Sequence, residues 1–153
     1  MKIFSWKEKI FLNLLKNNLK LGIERIPKIY DFIENTCQNY IVMELLGENV
    51  ETYKKNINFN EIIAYDILLQ MLESIKNIHD KGYIHRDIKP QNFVMSNDNE
   101  PGKKHKTVYL VDFGLSKVHL DTNKKPLLAR TDADFRGTLN YASLNAHLKK
   151  VNF

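Results

Sequence analysis

The chain contains few of the residues that cross-link or anchor a fold. Cys37 is the only cysteine among 153 residues, which excludes disulfide frameworks and zinc sites and fits a reducing compartment, so we expect the cytoplasm or nucleus. No apolar run approaches the roughly 18 residues of a membrane-spanning helix, so no transmembrane segment is expected. The N-terminal lysines and apolar residues mix at helical spacing around Glu8, which does not match a secretory signal.

The chain also contains few glycines, and its net charge is small. The 6 glycines all lie at or after Gly22, so no Gly-rich loop precedes that point. The net charge of +5 results from 23 basic and 18 acidic residues, and the lysines are spread over many segments. The densest basic cluster, residues 103–106, is short and has no interleaved aromatic residues. We therefore expect no nucleic-acid partner.

Two short segments hold the residues with catalytic chemistry. They are His85 to Asn92 and Asp112 to Gly114. Phosphoryl transfer needs a carboxylate to orient and deprotonate the acceptor hydroxyl, a cation near the transferred charge, and oxygen ligands for magnesium. Asp87 and Lys89 supply the first two, and Asn92 and Asp112 supply the metal ligands. This spacing matches the catalytic motifs of protein kinases.

The context of these segments favours that interpretation. Taken alone, an Asp in a loop is more often a turn residue, and a Lys before Pro is more often solvated surface. Here Asn60 is predicted to cap a helix that Gly82 ends, because apolar residues recur at helical spacing. These residues are Ile63, Ile67, Met71, Ile75 and Ile78. Residues 93–95 and 108–111 then predict a hairpin, and Asp112 follows its second strand.

Four segments resemble the casein kinase I superfamily of serine/threonine protein kinases. They are residues 27–30, 43–47, 85–95 and 137–147. The last is the most diagnostic, because Ser143-Leu144-Asn145 stands where most protein kinases have Ala-Pro-Glu. Residues 135–138 look more like the tau-tubulin kinase branch. The resemblance covers about residues 8 to 148.

The resemblance implies an α+β, protein kinase-like fold that is only partly present. Residues 1–43 would be the end of the N-terminal lobe, residues 44–47 the hinge, and residues 48–153 the first half of the helical C-terminal lobe. ATP and Mg²⁺ are the implied cofactors, and serine or threonine hydroxyls of proteins the implied substrates. No oligomeric state is implied.

The resemblance also assigns nucleotide contacts and two architectural residues. Met43 would be the gatekeeper, Glu44 to Leu46 the hinge that binds adenine through its backbone, and Val94 the floor of the pocket. Asp112 would contact the nucleotide through the metal. His85 would pack the catalytic loop, which corresponds to residues 85–92, and Arg86 would face the activation segment, which corresponds to residues 119–134.

The sequence departs from the family pattern at several points. Asn140 replaces an Arg that binds anions of pre-phosphorylated substrates, and an amide cannot make that charge-assisted bidentate contact. The Gly-rich loop and the strand Lys that grip the ATP phosphates are missing. In the helix expected over residues 6–20, Glu8 best matches the Glu that pairs with that Lys, although a register one residue earlier places Lys7 there.

Three interpretations of the chain therefore stay open. The first is an active-type serine/threonine kinase, and the second is a truncated or pseudokinase-like scaffold that binds a partner. The third is a fragment of a longer gene, which would explain losses at both ends beside an intact centre. In these 153 residues we expect one apolar face of the helix from Asn60 to Lys81 to be exposed. In the family this face is covered by helices that follow the region of His147.

Overall fold

The computed structural model describes residues 24–34, 39–56, 60–97, 106–128 and 134–148. The strands are β1 (Ile29–Glu34), β2 (Asn39–Met43), β3 (Tyr83–Ile84), β4 (Phe93–Met95), β5 (Val108–Leu110) and β6 (Lys117–Val118). The α-helices are α1 (Val50–Asn56), α2 (Glu61–Asp80) and α3 (Leu144–His147). The described strands pair antiparallel as β1 with β2, β3 with β6, and β4 with β5. Within these ranges no helix is long and apolar enough to cross a bilayer.

Helix α2 has the start and the stop that the sequence predicted. The Asn60 side chain accepts a hydrogen bond from the Ile63 amide at 3.0 Å, which satisfies one of the free donors of the first turn. After Lys81 the chain turns at Gly82, whose φ of 84° lies in the region that glycine adopts most readily. The predicted helix is therefore confirmed, and its end directs the chain into β3 and the catalytic loop.

One face of α2 packs on the predicted hairpin, which the structure also confirms. Ile67 and Ile78 are buried in the same apolar cluster as Phe93 of β4 and Leu110 of β5. Phe113, which follows Asp112, also belongs to it. Phe93 directly follows Asn92, and Phe113 directly follows Asp112. Burial of these two side chains in the cluster therefore stabilises the positions of both catalytic segments.

The opposite side of α2 is apolar and exposed, as expected. Its large side chains there are between 56% and 80% exposed. They are Ile62, Tyr65, Leu68, Leu69 and Leu72. Exposed apolar surface of this extent is uncommon in monomeric proteins.

The β1–β2 hairpin ends at the segment predicted to be the hinge. The Glu44 amide donates to the Lys28 carbonyl at 2.8 Å, which extends the pairing by one step beyond β2. The Gly47 amide then donates to the carbonyl of Met95, the last residue of β4, at 2.9 Å. A Cβ on Gly47 would lie 3.0 Å from the Ser96 carbonyl oxygen, so a glycine permits this close approach.

Candidate active site

The catalytic loop closes on itself around Asn92. This side chain is buried, and its Nδ2 donates to the Asp87 carbonyl at 2.8 Å and to Asp87 Oδ2 at 3.1 Å. The backbone N–H of Asn92 also donates to the Lys89 carbonyl at 2.9 Å, in the short 3₁₀ turn Pro90–Asn92. Pro90 suits the first position of that turn because it needs no amide hydrogen there. Asp87 and Asn92 are thus held together although five positions separate them.

Asp87, Lys89 and Thr138 form a closed triangle of hydrogen bonds. Lys89 Nζ lies 2.8 Å from Asp87 Oδ2 and donates to the Thr138 hydroxyl oxygen at 2.9 Å. The Thr138 hydroxyl in turn donates to Asp87 Oδ1 at 2.7 Å. The side chains of Asp87 and Lys89 are only 11% and 22% exposed. Both carboxylate oxygens are therefore held by donors, so Asp87 has a fixed orientation.

The surroundings of Asp87 favour its charged form. Burial raises the pKa of Asp87, but the hydrogen bonds from Lys89, Thr138 and Asn92 and the charge of Lys89 together outweigh burial. The net result is a pKa of Asp87 below its ordinary value. The carboxylate is thus ionised near neutral pH, as a proton acceptor must be.

His85 is a buried, neutral support of the loop. Its side chain accepts a hydrogen bond at Nδ1 from the Asp87 amide at 3.3 Å, so Nε2 carries the proton and donates to the Val111 carbonyl at 2.9 Å. Burial is the largest influence and lowers the pKa of His85. The ring also meets Phe113 edge-on, with centroids 5.1 Å apart. His85 thereby ties the catalytic loop to the second segment.

Asn92 and Asp112 are brought to the same place through Val111. The Val111 amide donates to the Asn92 carbonyl at 2.9 Å, and Asp112 follows with a left-handed φ of 65°. Because Asn92 Nδ2 is turned toward Asp87, its Oδ1 is the atom that could bind a cation. One amide oxygen and one carboxylate suit Mg²⁺, which takes few protein ligands and completes its shell with phosphate and water oxygens. The described residues contain no cluster of three or more His, Cys, Asp or Glu that would form a fuller metal cage.

The hinge presents backbone groups that a planar base could use. Within the described part of the chain, neither the Glu44 carbonyl nor the Leu46 amide makes a backbone hydrogen bond. Met43 at the end of β2 is 38% exposed, and Val94 lies in β4 with intermediate burial. An isolated bridge between Asn49 and Val94 joins the segment after the hinge to β4. The nucleotide roles predicted for these residues are compatible with this arrangement and stay predictions.

The contacts of Gly137 and Thr138 were not predicted from the sequence. Gly137 has a φ of 106°, and a Cβ there would lie 2.6 Å from the Arg86 carbonyl oxygen. Only glycine fits both the backbone angle and the approach. This lets the Thr138 hydroxyl reach Asp87. The signal was available as the Gly-Thr pair that opens the diagnostic segment 137–147, but no neighbouring residue indicated what the pair contacts.

The remaining residues singled out from the sequence lie outside the hydrogen-bonded group around Asp87. Arg86 donates from Nε to the Leu115 carbonyl, so it faces the stretch between Asp112 and the predicted activation segment. Asn140 is exposed in the turn Leu139–Tyr141. Ser143 is the N-cap of α3, and its hydroxyl accepts from the Ala146 amide at 3.2 Å. Glu8 with the alternative Lys7, and Cys37, lie outside the described residues.

Comparison with known proteins places the chain in a family. The family model described as protein kinase domain matches residues 2–145. A probable serine/threonine-protein kinase of Dictyostelium discoideum is 43% identical over 136 residues, and the match covers 84% of this chain and 26% of that relative. A casein kinase I homolog of Kluyveromyces lactis is 34% identical over 130 residues, and the match covers 83% of this chain and 24% of that relative.

The chain therefore belongs to the protein kinase family, and its relatives are serine/threonine kinases. The fold is a partial protein kinase fold, as the sequence resemblance implied. The chain spans about a quarter of the length of the curated relatives it matches.

Proposed function

We propose that this chain carries the phosphotransfer site of a serine/threonine protein kinase of casein kinase I type. The enzyme would transfer the γ-phosphoryl group of ATP to serine or threonine hydroxyls of protein substrates. The observation that carries the proposal is the fixed Asp87 carboxylate, held by Lys89, Asn92 and Thr138 beside the loop that bears Asp112. The casein kinase I type is supported by the Kluyveromyces relative and by Ser143-Leu144-Asn145.

Each side chain of the site has one task in this proposal. Asp87 orients the acceptor hydroxyl and receives its proton as the oxygen attacks phosphorus. Lys89 Nζ, already 2.8 Å from Asp87, stabilises negative charge that spreads over the transferred group. Because both groups are positioned before substrate binds, little reorganisation is needed in the transition state.

Asn92 and Asp112 would hold Mg²⁺, and the hinge would hold adenine. Bound Mg²⁺ neutralises charge on the phosphate oxygens. The Asn92 amide oxygen and the Asp112 carboxylate are its protein ligands in this proposal, while the Glu44 carbonyl and the Leu46 amide pair with the base. Met43 and Val94 border the base on its apolar sides. A cytoplasmic or nuclear location is proposed with this function, because the lone Cys37 fits a reducing compartment.

The test uses the whole protein as its source cell produces it. Transfer of labelled phosphate from ATP to a protein substrate is measured for the unmodified protein and for Asp87→Asn and Asp112→Ala. Loss of the proton acceptor is expected to lower kcat about 10²- to 10⁴-fold. Asp80→Asn is the control, because Asp80 is an exposed carboxylate paired with Lys76 outside the site.

The outcomes separate the kinase from the scaffold alternative. Loss of transfer in both site variants, with normal transfer in the Asp80 control, supports the roles given. Full turnover of Asp87→Asn would refute the role of Asp87. An unmodified protein that folds but transfers no phosphate would instead favour a binding scaffold.

A further inference from the structure

Arg25 has a backbone conformation that needs an explanation. Its φ of 61° lies in the left-handed region, which is unfavourable for residues with a Cβ. Such a conformation persists where surrounding contacts hold it, and it is more frequent at positions with a functional constraint. Arg25 lies outside both catalytic segments, and the proposed chemistry gives it no role.

The guanidinium of Arg25 holds helix α2 at two points. Nη1 donates to Gln70 Oε1 at 2.6 Å, and Nη2 lies 2.8 Å from Glu73 Oε2. The Arg25 side chain is 24% exposed and Gln70 is buried, so these contacts are partly shielded from water. A guanidinium is suited to this because its planar donors can serve two acceptors at once.

The same residue fixes the outer edge of β5. The Arg25 carbonyl accepts from the Leu110 amide at 2.9 Å, and Gln70 Oε1 accepts from the Val108 amide at 2.9 Å. Gln70 Nε2 donates to Asp66 Oδ2 and to the Lys106 carbonyl. This buried amide therefore has a partner for each of its donors and acceptors. The position of β5, and of Asp112 two residues beyond it, depends on this network.

Arg25 is also close in sequence to Lys28, a residue that contacts the predicted hinge. Lys28 follows three residues later, donates its amide to Glu44 Oε2 at 3.1 Å and accepts from the Glu44 amide at 2.8 Å. The short segment 25–28 thus joins the hinge to α2 and β5. In the proposed function, the adenine of ATP binds at one end of this connection, and the phosphates of ATP lie near Asp112 at the other end.

We propose that Arg25 is a positioning residue that fixes the adenine-binding hinge relative to the metal-binding pair Asn92 and Asp112. The inference rests on the proposed function, since it concerns the affinity of the same site for ATP. Arg25 touches neither substrate nor metal. Its effect passes through Gln70 and Leu110 on one side and Lys28 on the other.

The experiment measures kcat, the KM for ATP and the KM for a protein substrate in the full-length protein. Arg25→Gly is the main variant, because glycine accepts the positive φ and keeps the carbonyl that binds Leu110. The KM for ATP is expected to rise about tenfold, equivalent to one charge-assisted hydrogen bond, with the protein-substrate KM unchanged. Arg25→Lys keeps the charge but not the two-point contact and should give a smaller rise.

Lys76→Ala is the matched control, since it removes a surface ion pair from the same helix. A merely structural role of Arg25 would reduce the amount of folded enzyme and hence the apparent kcat, without changing the KM for ATP. If Arg25→Gly does not fold, Glu73→Gln serves instead, because Glu73 is half exposed and its replacement keeps the Gln70 contacts. It should raise the KM for ATP in the same direction.

An unchanged KM for ATP in a folded Arg25→Gly or Glu73→Gln protein would overturn the inference while the proposed function stands. Failure of the unmodified protein to bind ATP, measured directly by calorimetry with Mg²⁺ present, would overturn the proposed function, and the role of Arg25 with it. A rise in the KM for ATP confined to the Arg25 and Glu73 variants supports the inference.

Discussion

Replacing Thr138 with Val tests whether the hydrogen-bonded triangle orients Asp87. Valine keeps the branched shape of threonine but removes the hydroxyl that donates to Asp87 Oδ1 at 2.7 Å and accepts from Lys89 at 2.9 Å. Asp87 Oδ2 keeps its contacts with Lys89 and Asn92. The change therefore frees one carboxylate oxygen and leaves the other held.

The size of the effect follows from the geometry of that bond. A hydrogen bond to a charged group contributes about 1.5–3 kcal/mol. The Asp87 side chain is 11% exposed, so water can replace part of the lost contact, and we take the lower end of that range. This corresponds to about a tenfold decrease in kcat/KM for the protein substrate. The pKa of Asp87 should also rise, because one of its stabilising donors is gone.

Steady-state phosphate transfer by the full-length protein measures this effect, and thermal unfolding shows whether the variant is folded. Thr138→Ser is the matched control because it retains the hydroxyl, and it should stay within a few-fold of the unmodified protein. A folded Thr138→Val protein with normal kcat/KM and an unchanged pKa of Asp87 would contradict the role given to the triangle.

Two further predictions concern stability. Because burial lowers the pKa of His85 in the folded state, the unfolded chain binds more protons between about pH 6.5 and that lowered pKa, so the free energy of unfolding should fall as pH decreases across this interval, by at most about 1.4 kcal/mol per pH unit, and level off below it. Chemical denaturation between pH 5 and 8 measures this slope, and an equal slope in His85→Gln would refute the assignment. Gly137→Ala should destabilise the fold by about 1–3 kcal/mol and reduce transfer, because its φ is 106° and its Cβ would meet the Arg86 carbonyl. Unaltered melting and activity would argue against this tight approach.

Much of the framework was predictable because its signals are local. Asn60 and Gly82 mark the ends of α2, and apolar residues at helical spacing mark its buried face. The β4–β5 hairpin follows from two short apolar runs around a polar stretch. In each case a few neighbouring residues contain the whole signal, so no knowledge of distant contacts is needed.

The contacts that complete the site could not be predicted in this way. Thr138 meets Asp87 across 51 positions of sequence, and Arg25 meets Gln70 across 45. A threonine in a polar segment and an arginine before a strand are both ordinary surface residues by composition. The folded chain alone shows that the first has a carboxylate partner and that the second has a left-handed backbone held by two acceptors.

The different environments of His85 and Asp87 show which of them can accept a proton in catalysis. His85 is 1% exposed, and both of its ring nitrogens are engaged, one by the Asp87 amide and the other by the Val111 carbonyl. A substrate hydroxyl cannot reach either nitrogen without breaking these bonds. Asp87, two residues later, is partly exposed and kept ionised by cationic and neutral donors. Burial thus confines the histidine to support of the loop, so Asp87 is the group in this loop that can act as the base.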